Sequence, residues 1–81
     1  MLDVSGAFDE VHRELVRALG VHPSFNSPHE GWAVIKEELD ELWDEVRTDR
    51  GDTEAARSEA RQIAAMAVRY MIDLAPTPVS D

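Results

Sequence analysis

The chain has 81 residues, enough for one small domain with a limited core. Seventeen acids against eight bases give a formal charge of −9, which argues against a nucleic-acid backbone or an anionic membrane as partner. An apolar share of 43% marks a folding sequence, not an acidic disordered tail, and the absence of cysteine removes disulfide and thiolate chemistry.

The opening residues Met1-Leu2-Asp3-Val4 lack the basic and apolar regions of a signal peptide, and no apolar run nears the ~18 residues of a membrane span. A cytoplasmic protein is the expectation. Three helices and a tail follow in chain order, as one domain over 1–75 and a loose end over 76–81.

The first helix is predicted from about Asp3 to Leu19, where Val4, Phe8, Val11, Leu15, Ala18 and Leu19 recur at three- and four-residue steps. Gly20 reads as its left-handed stop, and 21–26 as a connector. Ser27-Pro28-His29-Glu30 then opens a second helix, with a capping hydroxyl, a proline at the first position and Glu30 closing a capping box. That helix runs to about Thr48 with a seam of Trp32, Ile35, Leu39, Leu42 and Val46. The breaker Asp49-Arg50-Gly51-Asp52 separates it from a third helix capped by Asp52 or Thr53. Ala56, Ala60, Ile63, Ala67, Tyr70 and Leu74 form the third seam, and Pro76-Thr77-Pro78 ends it. No strand pattern or repeat is present. The fold class is all-α.

Acidic clusters sit on both later helices: Glu37-Glu38-Leu39-Asp40-Glu41 and Glu59-Ala60-Arg61-Gln62. At about 100° per residue, Glu38, Glu41 and Glu45 form a stripe beside the second seam, while Glu59, Gln62, Met66 and Asp73 form one beside the third. The two stripes are offset in the same rotational sense, so an antiparallel hairpin brings them to one side. Residues facing across a pivot near Arg50 have numbers summing to about 100, which sets Glu38 and Glu41 opposite Glu59 to Gln62. Acid-rich helix faces are ordinarily solvated surface. Agreement in both angle and level is what lifts this one above that. Three carboxylates and an amide oxygen suit magnesium, with manganese as the alternative, and such ions are usually completed by substrate phosphates. Zinc does not fit, since His12, His22 and His29 show no ligand spacing.

The remaining candidates have blander readings. Glu37 points outward, and Asp40, Asp44 and Glu45 face solvent. Asp73 shares the stripe several turns away. Lys36 points away from it. Arg69 lies on the Gln62 side, two turns on, where it reaches a phosphate or forms a surface ion pair. Trp32 and Trp43, on the opposite flank of the second seam, pack against the first helix or a partner subunit, and Tyr70 joins the core. So short a chain leaves apolar flanks uncovered, which predicts a homodimer, or a tetramer, with a four-helix bundle made from the second and third helices of two subunits. The first helix then packs outside or completes a pocket.

The order EExxE, spacer, ExxD on consecutive antiparallel helices resembles the all-α nucleoside triphosphate pyrophosphohydrolases, which include MazG-like proteins, dimeric dUTPases and phosphoribosyl-ATP pyrophosphohydrolases. The string His29-Glu30-Gly31-Trp32-Ala33-Val34-Ile35-Lys36-Glu37-Glu38 is similar to short MazG-like proteins of phages and bacteria. The resemblance covers the second and third helices. It implies magnesium-dependent cleavage between the α- and β-phosphates, giving a nucleoside monophosphate and pyrophosphate. By motif position it implies Glu38, Glu41 and Glu59 as metal ligands and Glu37 as a further ligand or the group orienting water. Gln62 stands where the motif has aspartate; an amide oxygen coordinates but brings no charge and serves as no base. A catalytically inactive nucleotide binder and a helical interaction module are the alternatives.

Overall fold

A computed structural model describes residues 2–48 and 50–76. Three α-helices make up the secondary structure of the described residues: α1 (Val4–Val21), α2 (Pro28–Thr48) and α3 (Glu54–Asp73). None of them is long and apolar enough to cross a membrane. The tail expected over 76–81 lies, beyond Pro76, outside the described residues.

Local chemistry sets the helix ends. Asp3 caps α1 by accepting from the Gly6 amide at 2.8 Å. Gly20 does not stop this helix; it continues to Val21, and the His22 amide closes the last turn on the Ala18 carbonyl at 2.9 Å. The end is therefore set by extended backbone at His22 leading to Pro23, with no left-handed glycine required. At α2 the Ser27 hydroxyl accepts from the Glu30 amide at 3.1 Å, as predicted. The Glu30 carboxylate reaches one residue further back than a capping box requires, to the amide and side chain of Asn26. Thr53, of the two candidates, caps α3 by accepting from the Ala56 amide at 3.1 Å. Gly51 takes φ +86° in the turn between α2 and α3, a conformation that favours glycine.

α1 and α2 each pack on α3 and not on one another. Gln62 beside Glu38 and Tyr70 beside Gly31 show that α2 and α3 run antiparallel. Glu10 pairs with Arg57 and Arg61, and Arg69 with the carbonyls of Ala18 and His22, so α1 runs parallel to α3. Small residues allow the close approach: Ala18, Ala56 and Ala65 are buried together with Leu15. Gly31 serves the same end on α2, where an added Cβ would stand 2.7 Å from the Tyr70 ring and 3.1 Å from Phe25.

Much of the expected apolar seam stays open. Val4, Phe8 and Leu19 on α1, and Trp32, Leu39, Trp43 and Val46 on α2, are exposed, while Ile35, Leu42, Ile63, Tyr70 and Leu74 are only half-buried. Trp32 and Trp43 do not pack against α1, because α1 lies on the other neighbour, α3. One contact partner buries only one stripe of a helix. Among the described residues, the outer stripes of α1 and α2 have no further helix to meet.

Candidate functional site

The hairpin does for the acidic stripes what helix geometry requires. Carboxylate oxygens of Glu38, Glu41 and Glu59 lie within 4.8 Å of one another, and they form the one potential metal-ligating cluster among the described residues. The Gln62 amide stands against Glu38; with its nitrogen turned inward it donates to both carboxylate oxygens, at 2.9 and 3.2 Å. Turned the other way, the same amide offers an oxygen to the cluster. Glu37 is exposed on α2 and lies outside the cluster. Asp40 and Asp44 face solvent, tied to Lys36 and Arg47 on their own helix. Glu45 is half-buried rather than fully solvent-facing.

Electrostatics at the cluster are strained. Burial, then the adjoining carboxylates of Glu59 and Glu41, push the Glu38 carboxyl up to about 8. Glu41 is raised as well, chiefly by its close contact with Glu59. Oε2 of Glu59 is buried with no hydrogen-bond partner among the described residues. A buried, unpartnered oxygen on a carboxylate that adjoins two other acids is costly unless a proton or a cation compensates it. An all-oxygen donor set with an orphaned buried oxygen fits a hard divalent ion.

A cavity of about 330 Å³ opens beside the cluster, over α3 and between α1 and α2. Glu38 and Gln62 belong to its wall, so cluster and cavity are continuous. Val34 and Met66 supply apolar lining, and Phe25 and His22 in the connector close the far end.

Arg69, expected at a phosphate or in a surface pair, forms its ion pair in the interior and not at the surface. It is 2% exposed, and its three nitrogens donate to Asp73 at 3.1 Å, the Ala18 carbonyl at 3.0 Å and the His22 carbonyl at 2.7 Å. Asp73 in turn accepts from the Phe25 amide at 3.0 Å, a bond that, more than Arg69, holds its carboxyl below the usual range. This pair fastens the end of α1 and the connector to α3. Its contribution to the cavity is to fix the far wall.

Glu14, Arg17, His22 and Phe25 escaped the sequence reading as site residues. Glu14 and Arg17 show only as polar positions flanking the α1 seam. Their place in the wall of the same cavity as Glu38 depends on where α1 docks, which no local pattern encodes. No family model, curated protein or solved structure matches the chain.

Proposed function

We propose that the protein is a magnesium-dependent nucleoside triphosphate pyrophosphohydrolase, converting an NTP or dNTP and water to a nucleoside monophosphate and pyrophosphate. The observation that carries this reading is the convergence of Glu38, Glu41 and Glu59, the last with a buried oxygen that has no hydrogen-bond partner among the described residues. Its continuity with a cavity lined partly by apolar side chains adds room for a nucleoside. The resemblance of the EExxE and ExxQ segments to MazG-like pyrophosphohydrolases supports the same assignment.

In this reading Glu38, Glu41 and Glu59 hold the ion, with Gln62 as a neutral fourth group. Bound magnesium, or manganese in its place, supplies positive charge against the phosphate oxygens and acidifies a water. α2 and α3 keep the carboxylates in register, which is where positioning enters. The resemblance, not the geometry, gives Glu37 the task of orienting the attacking water; it is exposed on the same helix, outside the cluster. The open stripe of Trp32, Leu39, Trp43 and Val46 supports a homodimer in which these helices form a four-helix bundle. A specific observation favours one second reading, an inactive nucleotide binder: Gln62 takes no negative charge and accepts no proton, so a two-metal arrangement loses a ligand charge there.

Pyrophosphate release from a panel of ribo- and deoxyribonucleoside triphosphates in magnesium tests the assignment. Wild-type protein releases pyrophosphate, and Glu38→Ala and Glu41→Ala do not. Release that persists in both variants removes the site assignment. Magnesium-dependent nucleotide binding without release identifies the inactive binder, and neither binding nor release leaves a helical interaction module. Sedimentation equilibrium addresses assembly: wild type runs as a dimer and Leu39→Asp as a monomer, whereas a monomeric wild type refutes the bundle.

A further inference from the structure

A polyphosphate entering beside three carboxylates meets a chain of net charge −9, so side-chain cations have to face it together with the metal. Most of the basic residues are committed elsewhere. Lys36 and Arg47 pair with Asp40 and Asp44 on the solvent side of α2. Arg57 and Arg61 are clamped by Glu10 between α1 and α3. Arg50 pairs with Asp52 at the hairpin turn. Arg69 lines the cavity, but its nitrogens are bound to carbonyls and to Asp73 in the interior.

Arg17 is different. It lines the same cavity as Glu38 and Gln62 and also the shallower depression beside it that contains Arg13 and Arg61. Its side chain is 58% exposed, against 15% for its partner Glu14. Glu14 accepts from Nε at 3.1 Å and from Nη2 at 2.6 Å, which leaves Nη1 without a partner among the described residues. A bidentate carboxylate holds the guanidinium plane while one donor edge stays available, the geometry that suits recognition of a phosphate.

We propose that Arg17, presented by Glu14 from α1, is the phosphate-binding side chain of this site. The ligand class is a magnesium-complexed polyphosphate, inorganic or the triphosphate of a nucleotide. The inference rests on the nucleotide reading above and adds a residue from a helix that carries none of the acidic motif. It also gives α1 a task in the same subunit: it brings a cation to the wall of the cavity opposite α2.

Calorimetric titration with inorganic tripolyphosphate in magnesium tests this without requiring turnover, with KM for nucleoside triphosphate measured in parallel. Arg17→Ala weakens tripolyphosphate binding and raises KM by about tenfold or more, as expected for loss of a charge-assisted hydrogen bond. Arg17→Lys recovers part of the loss, and Arg13→Ala stays within about twofold of wild type because it removes only diffuse charge. Far-ultraviolet circular dichroism confirms that each variant is folded. Arg17→Ala binding as tightly as wild type overturns the inference, and so does an equal loss in Arg17→Ala and Arg13→Ala. Should the wild type bind neither tripolyphosphate nor nucleotide in magnesium, the nucleotide reading fails first and this inference falls with it.

Discussion

If the Glu38–Glu41–Glu59 cluster holds magnesium as proposed, protons and the ion compete for it, and metal stabilisation of the fold depends on pH in a defined direction. The Glu38 carboxyl rises from 4.5 to about 8 in the folded state. A folded value above the unfolded one means the contribution is fully present below about 4.5 and lost as pH climbs toward 8. That displacement sets an upper limit of about 5 kcal/mol at ~1.36 kcal/mol per pH unit. Glu38 is only partly buried and water screens it, which brings the working figure to about 1–2 kcal/mol. In the proposed reading, magnesium replaces the lost proton. At ten times its dissociation constant it returns about 1.4 kcal/mol, or roughly 6–11 °C in Tm for a domain of this size. Melting curves by circular dichroism at pH 5.5 and pH 8, with and without magnesium at matched ionic strength, read both effects. The metal-free protein melts lower at pH 8, and magnesium raises its Tm there far more than at pH 5.5. In Glu59→Gln the metal-free protein is more stable at pH 8 and the magnesium gain disappears. An equal magnesium gain at both pH values, or one retained in Glu59→Gln, refutes the reasoning.

Gln62→Asp restores the charge of the resembled motif; isothermal titration should show magnesium bound about tenfold more tightly, in line with one added carboxylate ligand, and an unchanged affinity places Gln62 outside the ion's reach. Arg69→Ala leaves Asp73 buried without its cation and removes a donor from the Ala18 and His22 carbonyls, so urea denaturation should register a loss of about 3–5 kcal/mol; a loss under about 1 kcal/mol contradicts the structural role given to the pair. Gly31→Ala sets a Cβ 2.7 Å from Tyr70. The resulting overpacking costs about 1–3 kcal/mol and outweighs the ~1 kcal/mol alanine gains in helix propensity, so a variant more stable than wild type in the same assay would sink that packing argument.

Periodicity and capping chemistry are local, and they specify the three helices. Ser27, Thr53 and Gly51 mark ends that neighbouring residues alone dictate, and the hairpin with its short turn admits one antiparallel register. Hence the meeting of Glu38 and Glu41 with Glu59 and Gln62 is legible in the sequence, because two angles and one pivot fix it. Gly20 misleads for the same local reason: a glycine permits a stop without requiring one, and the extended backbone at His22 ends the helix instead.

What tertiary structure alone decides is the docking of α1. Its periodic face is equally compatible with α2, with α3 or with a partner. Parallel packing on α3 follows from non-local pairs, Glu10 with Arg57 and Arg61, and Arg69 with the carbonyls of Ala18 and His22. That choice turns Arg69 inward, leaves Trp32 and Trp43 exposed, and opens the cavity that carries Arg17. Side-chain spacing encodes which face of a helix is buried. It does not encode against what.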